Sequence, residues 1–250
     1  MNILGIIPAR AGSKGIRLKN LRLVGGKPLL AYSLEAALAA RQLHRVVVST
    51  EDERIAEVAR RLGAEVPFLR PSELAGDQVS LIPVARHAME FYDRHGWAPD
   101  VVVCIQATSP LLSAEDIDRA VELLIDQDCD AVVSVTPIQH HHPFRAMKLD
   151  GNQVRPLTEY TNDRYLQKQD RPPAFGFTGG LYVRRRALLE QWSGQDFALG
   201  QDVRALVIEP ERAVNIDHEL DLMVFEAILR ARAGASQAVE YDQAAGGVSR

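Results

Sequence analysis

The residues best suited to chemistry sit near the start: Ile6-Ile7-Pro8-Ala9-Arg10-Ala11-Gly12-Ser13-Lys14-Gly15-Ile16-Arg17-Leu18-Lys19-Asn20. Arg10, Lys14, Arg17 and Lys19 surround the glycines at 12 and 15, and no carboxylate precedes Glu35 although the chain carries a net charge of −4. Glycines let backbone N–H groups approach an anion closely, and neighbouring cations neutralise its charge. A polyphosphate asks for this composition; a solvated basic turn is the plainer alternative. The order of residues excludes the two commonest phosphate loops. Lys14 lies between Ser13 and Gly15 rather than ahead of a Ser or Thr, and no Gly-x-Gly-x-x-Gly occurs.

Four later segments carry polar groups at the ends of apolar runs. They are Arg70-Pro71-Ser72-Glu73-Leu74-Ala75-Gly76-Asp77 with Ser80, Gln106-Ala107-Thr108-Ser109-Pro110-Leu111, Lys168-Gln169-Asp170-Arg171-Pro172-Pro173 with Thr178-Gly179-Gly180, and Asn215-Ile216-Asp217. Read alone, the first is a polar loop, the second turn punctuation, and Asp217 fits a helix N-cap. His140-His141-His142 is a weak metal motif, because consecutive residues on an extended chain point in alternate directions. His87 reads as a satisfied packing residue on an apolar helix face.

These groups must be positioned by alternating strands and helices. Ile3–Ile7 reads as a buried first strand and Pro28 opens a helix to about Ala40. Arg45–Ser49 is the second strand, and Thr50 with Glu53 suggests a capping box for a helix to Arg61. A short strand over 63–68, a helix from Ser80 to Arg94 and an all-apolar strand from Val101 to Gln106 follow. Ser113 and Asp116 form a second capping box, for a helix to about Gln127, and Ala131–Val135 is the next strand. The alternation predicts an open, mostly parallel, doubly wound α/β sheet, with ligands at the carboxyl ends of the strands. The loops 8–20, 70–80 and 106–112 should therefore converge. From Pro137 to Pro173 the rhythm breaks into a polar stretch that reads as an inserted arm. Gly180–Arg184 and Leu206–Ile208 return to the sheet, and a last helix spans His218 to about Arg232. The pattern thus gives one domain over 1–233, with the arm at about 137–175, and a tail over 234–250 expected to be disordered.

At 250 residues, with 46% hydrophobic and 25% charged residues, the chain suits one soluble globular domain. The mildly acidic balance speaks against nucleic-acid binding. Cys104 and Cys129 lie in apolar runs and read as buried thiols. The pattern shows neither a signal peptide nor a membrane-spanning stretch, so a cytoplasmic location without membrane association is expected.

Ile-Ile-Pro-Ala-Arg-x-Gly-Ser-Lys-Gly-Ile with Lys19-Asn20 resembles the opening of the acylneuraminate cytidylyltransferases, the CMP-sialic acid synthetases and their relatives. The four later segments resemble further motifs of that family, and the likeness spans about residues 2–232. It implies a Rossmann-like sheet of the nucleotide-diphospho-sugar transferase type, with an inserted dimerisation arm and a homodimer. The implied reaction joins a 2-keto sugar acid to CTP: the anomeric hydroxyl attacks the α-phosphorus and pyrophosphate leaves. Ala9, Arg10, Gly12, Ser13, Lys14, Lys19, Asn20, Arg70 and Ser80 would hold the nucleotide. Gln106, Thr108, Ser109, Lys168, Gln169, Thr178 and Gly179 would face the acid. Asp217, with Asn215 beside it, would bind Mg2+, and Arg10, Lys14, Lys19 and Asp217 would be catalytic.

Three departures mark this chain. Asn215 stands where the family usually has Asp, Lys168 where sialic acid synthetases have Arg, and Thr178 where they have Asn. Lysine cannot grip a carboxylate bidentately as arginine does. Motifs on the CTP side are kept and those on the sugar side altered, which points to the same reaction on a different acid of the sialic, legionaminic or pseudaminic type. A 3-deoxy-octulosonate derivative is the alternative acid, and a CTP-binding protein that has lost turnover is the alternative that Asn215 raises.

Overall fold

The computed structural model describes residues 1–13, 15–157, 167–194 and 196–245, with side chains through 233. In chain order its regular elements are β1 (Ile3–Pro8), β2 (Leu23–Val24), β3 (Lys27–Pro28), α1 (Leu29–Ala39), β4 (Arg45–Ser49), α2 (Glu53–Arg61), α3 (Leu81–Arg94), β5 (Val101–Ile105), α4 (Ala114–Asp126), β6 (Ala131–Pro137), β7 (Met147–Asp150), β8 (Gln153–Pro156), β9 (Phe175–Arg185), α5 (Arg186–Glu190), β10 (Val203–Val207) and α6 (Glu219–Ala245).

Six strands form the central sheet in the order β10-β6-β9-β5-β1-β4. β4 and β5 flank β1 in parallel and β10 runs parallel to β6, while β9 is antiparallel to both of its neighbours. The all-apolar strands are explained by two-sided burial. Val101, Val103 and Ile105 face a core shared with α1, α2 and α4, whereas Val102 and Cys104 face α3. Ile3 and Ile7 point to the first face, Leu4 and Ile6 to the second. This period of two sends every side chain of an apolar strand into one core or the other. The open, mostly parallel, doubly wound sheet predicted from the alternation is thus present.

Several local expectations are corrected. The α2 cap is Asp52, whose carboxylate accepts from the Arg54 and Ile55 backbone N–H groups; Thr50 is buried and its hydroxyl accepts from Asp52 N. Thr50 sits too close to the end of β4 to adopt the cap position. The strand expected over 63–68 reduces to one bridge between Val47 and Glu65. By contrast, Ser113 and Asp116 make the reciprocal capping box of α4. α6 runs on to Ala245, past the end near Arg232 and into the tail expected to lack structure. His87 packs edge-on against Phe68 at 4.6 Å, but its buried Nδ1 has no partner among the described residues. Burial, then the nearby Arg94, lowers its pKa.

The inserted segment leaves the sheet at Pro137 and returns at Phe175, residues paired across β6 and β9. It holds the exposed hairpin β7–β8, which turns at Gly151 with φ +56°. Residues 158–166 of the expected arm lie outside the described residues. Cys104 and Cys129 are free, buried thiols. Among the described residues no helix is long and apolar enough to cross a membrane.

Candidate active site

A cleft of about 250 Å³ opens at the carboxyl ends of β1 and β5. The three loops predicted to converge do so there. The glycine loop contributes Arg10, Gly12, Ser13, Lys19 and Asn20; the second loop gives Arg70 and Asp77, the turn after β5 gives Gln106 and Thr108, and Asp217 closes one side. A shallower depression beside it shares Arg10, Ser13, Lys19, Asp77 and Asp217, so phosphate-sized space continues along the same cations. Lys14 lies outside the described residues.

The mouth of the cleft is organised by Lys19. Leu18 takes a left-handed conformation at φ +50°, a costly one for leucine, and turns the chain into a short 3-10 segment over Lys19–Leu21. Lys19 Nζ then donates to Asp217 Oδ1 at 2.9 Å and to the Ile216 carbonyl at 2.7 Å. Asn215 Nδ2 donates to the other oxygen, Asp217 Oδ2, at 2.9 Å. The Asp217 carboxylate is thus held on both sides while 57% of the side chain stays open to solvent.

Asp217 is not the cap of α6. Asp221, inside the helix, reaches back to accept from Asp217 N at 2.8 Å and His218 N at 2.7 Å. Burial raises the Asp221 pKa, but these two N–H groups together with His218 and Lys19 outweigh it and leave the group below the usual carboxylate range. Asp221 thus orders the turn entering α6, and the Asp217 carboxylate turns to Lys19 and Asn215.

Two contacts fix the glycine loop against this segment. A Cβ on Gly15 would lie 2.1 Å from the Asp217 carbonyl oxygen, so only glycine fits. Ile16, Val24, Leu29, Leu111, Ile216, Leu222 and Phe225 form a small separate core beneath it, and Ile216 N donates to the Thr108 carbonyl at 2.8 Å. Gly12, by contrast, has nothing within 4 Å of where a Cβ would stand, as expected where a ligand approaches. Arg10 pairs with Asp77 at 2.8 Å, and Asn20, which is buried, donates to the Arg10 carbonyl at 2.8 Å.

Other expected site residues are placed elsewhere. Ala9 is buried and donates its N–H to the Ser49 carbonyl at 2.9 Å, a sheet contact. Ser80 caps α3, accepting from Ile82 N at 3.3 Å. Ser109 is buried against Gly180, where a Cβ would lie 2.8 Å from its hydroxyl. Thr178 turns its hydroxyl to Ser134 at 2.5 Å rather than into the cleft. Gly179 borders Gln106, with its Cβ position 3.9 Å from Gln106 Nε2. Lys168 and Gln169 lie on an exposed 3-10 turn outside the cleft lining, and Gln169 bonds Gln167. Sequence reasoning did not select Asp77 or Glu51. Their signal was an acid just beyond a strand or opposite a basic loop.

The donors suit a hard divalent cation. Mg2+ takes oxygen ligands and often only one or two protein carboxylates, the rest coming from phosphate and water. Asp217 presents an exposed carboxylate, and beside it the buried Asn215 Oδ1 has no partner among the described residues. Among those residues no group of three or more His, Cys, Asp or Glu side chains forms an all-protein metal cage.

Comparison with known proteins adds the family. The model of the family described as "Cytidylyltransferase" matches residues 4–223. The chain belongs to the cytidylyltransferase family. Among its members, the pseudaminic acid cytidylyltransferase of Campylobacter jejuni subsp. jejuni serotype O:2 is 32% identical over 222 residues, covering 89% of this chain and 94% of that protein. The CMP-N,N'-diacetyllegionaminic acid synthase of Legionella pneumophila is 32% identical over 231 residues, covering 92% and 97%. A solved CMP:2-keto-3-deoxy-manno-octonic acid synthetase, complexed with CTP, superposes with a TM-score of 0.70 at 18% identity, over 93% of this chain and 100% of that one. At that identity it shows the shared cytidylyltransferase fold.

Proposed function

We propose that this cytidylyltransferase moves CMP from CTP to the anomeric hydroxyl of a nine-carbon 2-keto sugar acid of the sialic, legionaminic or pseudaminic type, releasing pyrophosphate. The observation that carries the reading is the facing of a carboxylate-free basic loop and a held but open carboxylate, Lys19 and Asp217, in one cleft. The relatives named above support the substrate class.

In this reading Arg10 and Lys14 bind the outer phosphates, with Gly12 and Ser13 giving backbone access. Lys19 stands beside the α-phosphate, where its charge opposes the negative charge that builds on the non-bridging oxygens. Arg70 holds the nucleoside end, and Gln106, Thr108 and Gly179 face the acid. Lys168 and Gln169 would reach the acid only if the arm of a second copy brought them to the cleft, so a homodimer belongs to the proposal. Asp217, with Asn215 at its side, would hold Mg2+, which when bound would neutralise phosphate charge and polarise the reacting phosphoryl group. A cytoplasmic location follows from the need for CTP.

The test is pyrophosphate release with Mg2+ and CTP against UTP, ATP and GTP, over a panel of nine- and eight-carbon 2-keto acids. Release is expected with CTP and a nine-carbon acid. CTP binding without release for any acid would contradict the proposal and favour lost turnover, which activity in Asn215→Asp would then separate from an untested acid.

A further inference from the structure

The end of β4 ties together two of the loops that line the cleft. Ser49 O accepts from Ala9 N at 2.9 Å, at the start of the glycine loop, and Thr50 O accepts from Arg70 N at 2.7 Å, on the second loop. The next residue, Glu51, gives one carboxylate oxygen to each. Oε1 accepts from Ala11 N at 2.7 Å and Oε2 from Arg70 Nη2 at 2.7 Å. Its backbone is fixed in turn by the capping residue Asp52, whose N–H donates to Thr50 Oγ1.

Arg70 lines the cleft, yet its side chain is only 3% exposed. Its Nε is buried without a partner among the described residues. A buried cation of this kind depends on its counter-charge for both stability and direction. Glu51 itself is absent from the cleft lining, so it acts through the groups it holds.

We propose that Glu51 is a positioning residue for the nucleotide. It aims Arg70 and sets the spacing between the glycine loop and the second loop. The proposal rests on the reading of the cleft as a CTP site. Its expected consequence is selective, affecting nucleotide affinity rather than the chemical step or the acid.

The test is calorimetric binding of CTP and steady-state kinetics on Glu51→Gln, which keeps an acceptor for Ala11 but removes the charge facing Arg70. The CTP Kd should rise about tenfold or more, as for loss of one partner of a buried charge pair. At saturating CTP, kcat and the KM for the acid should stay within about threefold. A merely structural role would lower the melting temperature and leave the Kd of the folded protein unchanged, which would overturn the proposal. To cover misfolding of the single variant, Glu51→Gln is also compared with Glu51 in an Arg70→Gln background, where the double variant leaves no buried charge unpaired. There it should change the CTP Kd by less than about twofold; a change as large as that expected in the wild type would overturn the coupling through Arg70. Wild-type protein that fails to bind CTP would sink the functional reading itself, whereas normal wild-type binding with an unaltered Glu51→Gln Kd sinks only the role of Glu51.

Discussion

At Asp217 the two roles that the residue type allows, helix cap and cation ligand, are separated by a neighbour. Asp221 takes the backbone N–H groups of Asp217 and His218 just ahead of α6, and the Asp217 carboxylate faces Lys19 and Asn215. Asp217→Asn should therefore cut turnover by about a hundredfold or more, the scale of losing one charge contact at a reacting group. Its stability should change by less than about 1 kcal/mol, because the Asp217 side chain is 57% exposed and Lys19 keeps the Ile216 carbonyl as an acceptor. Pyrophosphate release and chemical denaturation on the same preparation test both halves. Retained turnover would remove Asp217 from the catalytic groups. The competition between Asp217 and Asp221 was not legible in the sequence, since both stand at positions a cap can occupy. The cations were more legible. A run holding Arg10, Lys14, Arg17 and Lys19 without any acid, after an apolar strand, has few uses.

The elements show where such reading stops. β1, β4 and β5 were legible because continuous apolar runs fit only strands covered on both faces, and from them followed the convergence of the loops. The antiparallel insertion of β9 between β5 and β6 was not, because strand order is decided by contacts distant in sequence. Gly15 is a similar case. Its type suggested close approach of a phosphate, but the backbone it meets is that of Asp217, far along the chain in the segment leading into α6. Gly15→Ala should consequently displace the segment that carries Asp217. A melting temperature lowered by several degrees together with loss of activity is expected, on the scale of about 1–3 kcal/mol for forced overpacking. Unchanged melting and turnover would show that the contact yields at no cost.

For the whole molecule, the distribution of exposed apolar side chains bears on assembly. Leu149 and Val154 on the β7–β8 hairpin and Phe175 and Phe177 at the start of β9 are each at least half exposed. Apolar groups gathered on a projecting hairpin favour burial against another surface. As part of the proposed homodimer, a Leu149→Asp/Val154→Asp variant should shift the mass seen by light scattering from two chains toward one. A wild-type mass of one chain would contradict the dimer. Of the departures at Asn215, Lys168 and Thr178, Asn215 touches Asp217 at the mouth of the cleft, whereas the Thr178 hydroxyl meets Ser134 and Lys168 lies on an exposed turn.

The central claim is that this site forms a bond between CMP and a sugar acid. Mass spectrometry of a reaction holding CTP, Mg2+ and a nine-carbon 2-keto sugar acid tests it most directly. The account predicts a product with the mass of CMP joined to the acid through loss of pyrophosphate, formed by wild type and about a hundredfold or more slower with Asp217→Asn. Pyrophosphate appearing together with free CMP and unaltered acid would show hydrolysis instead, and would contradict it.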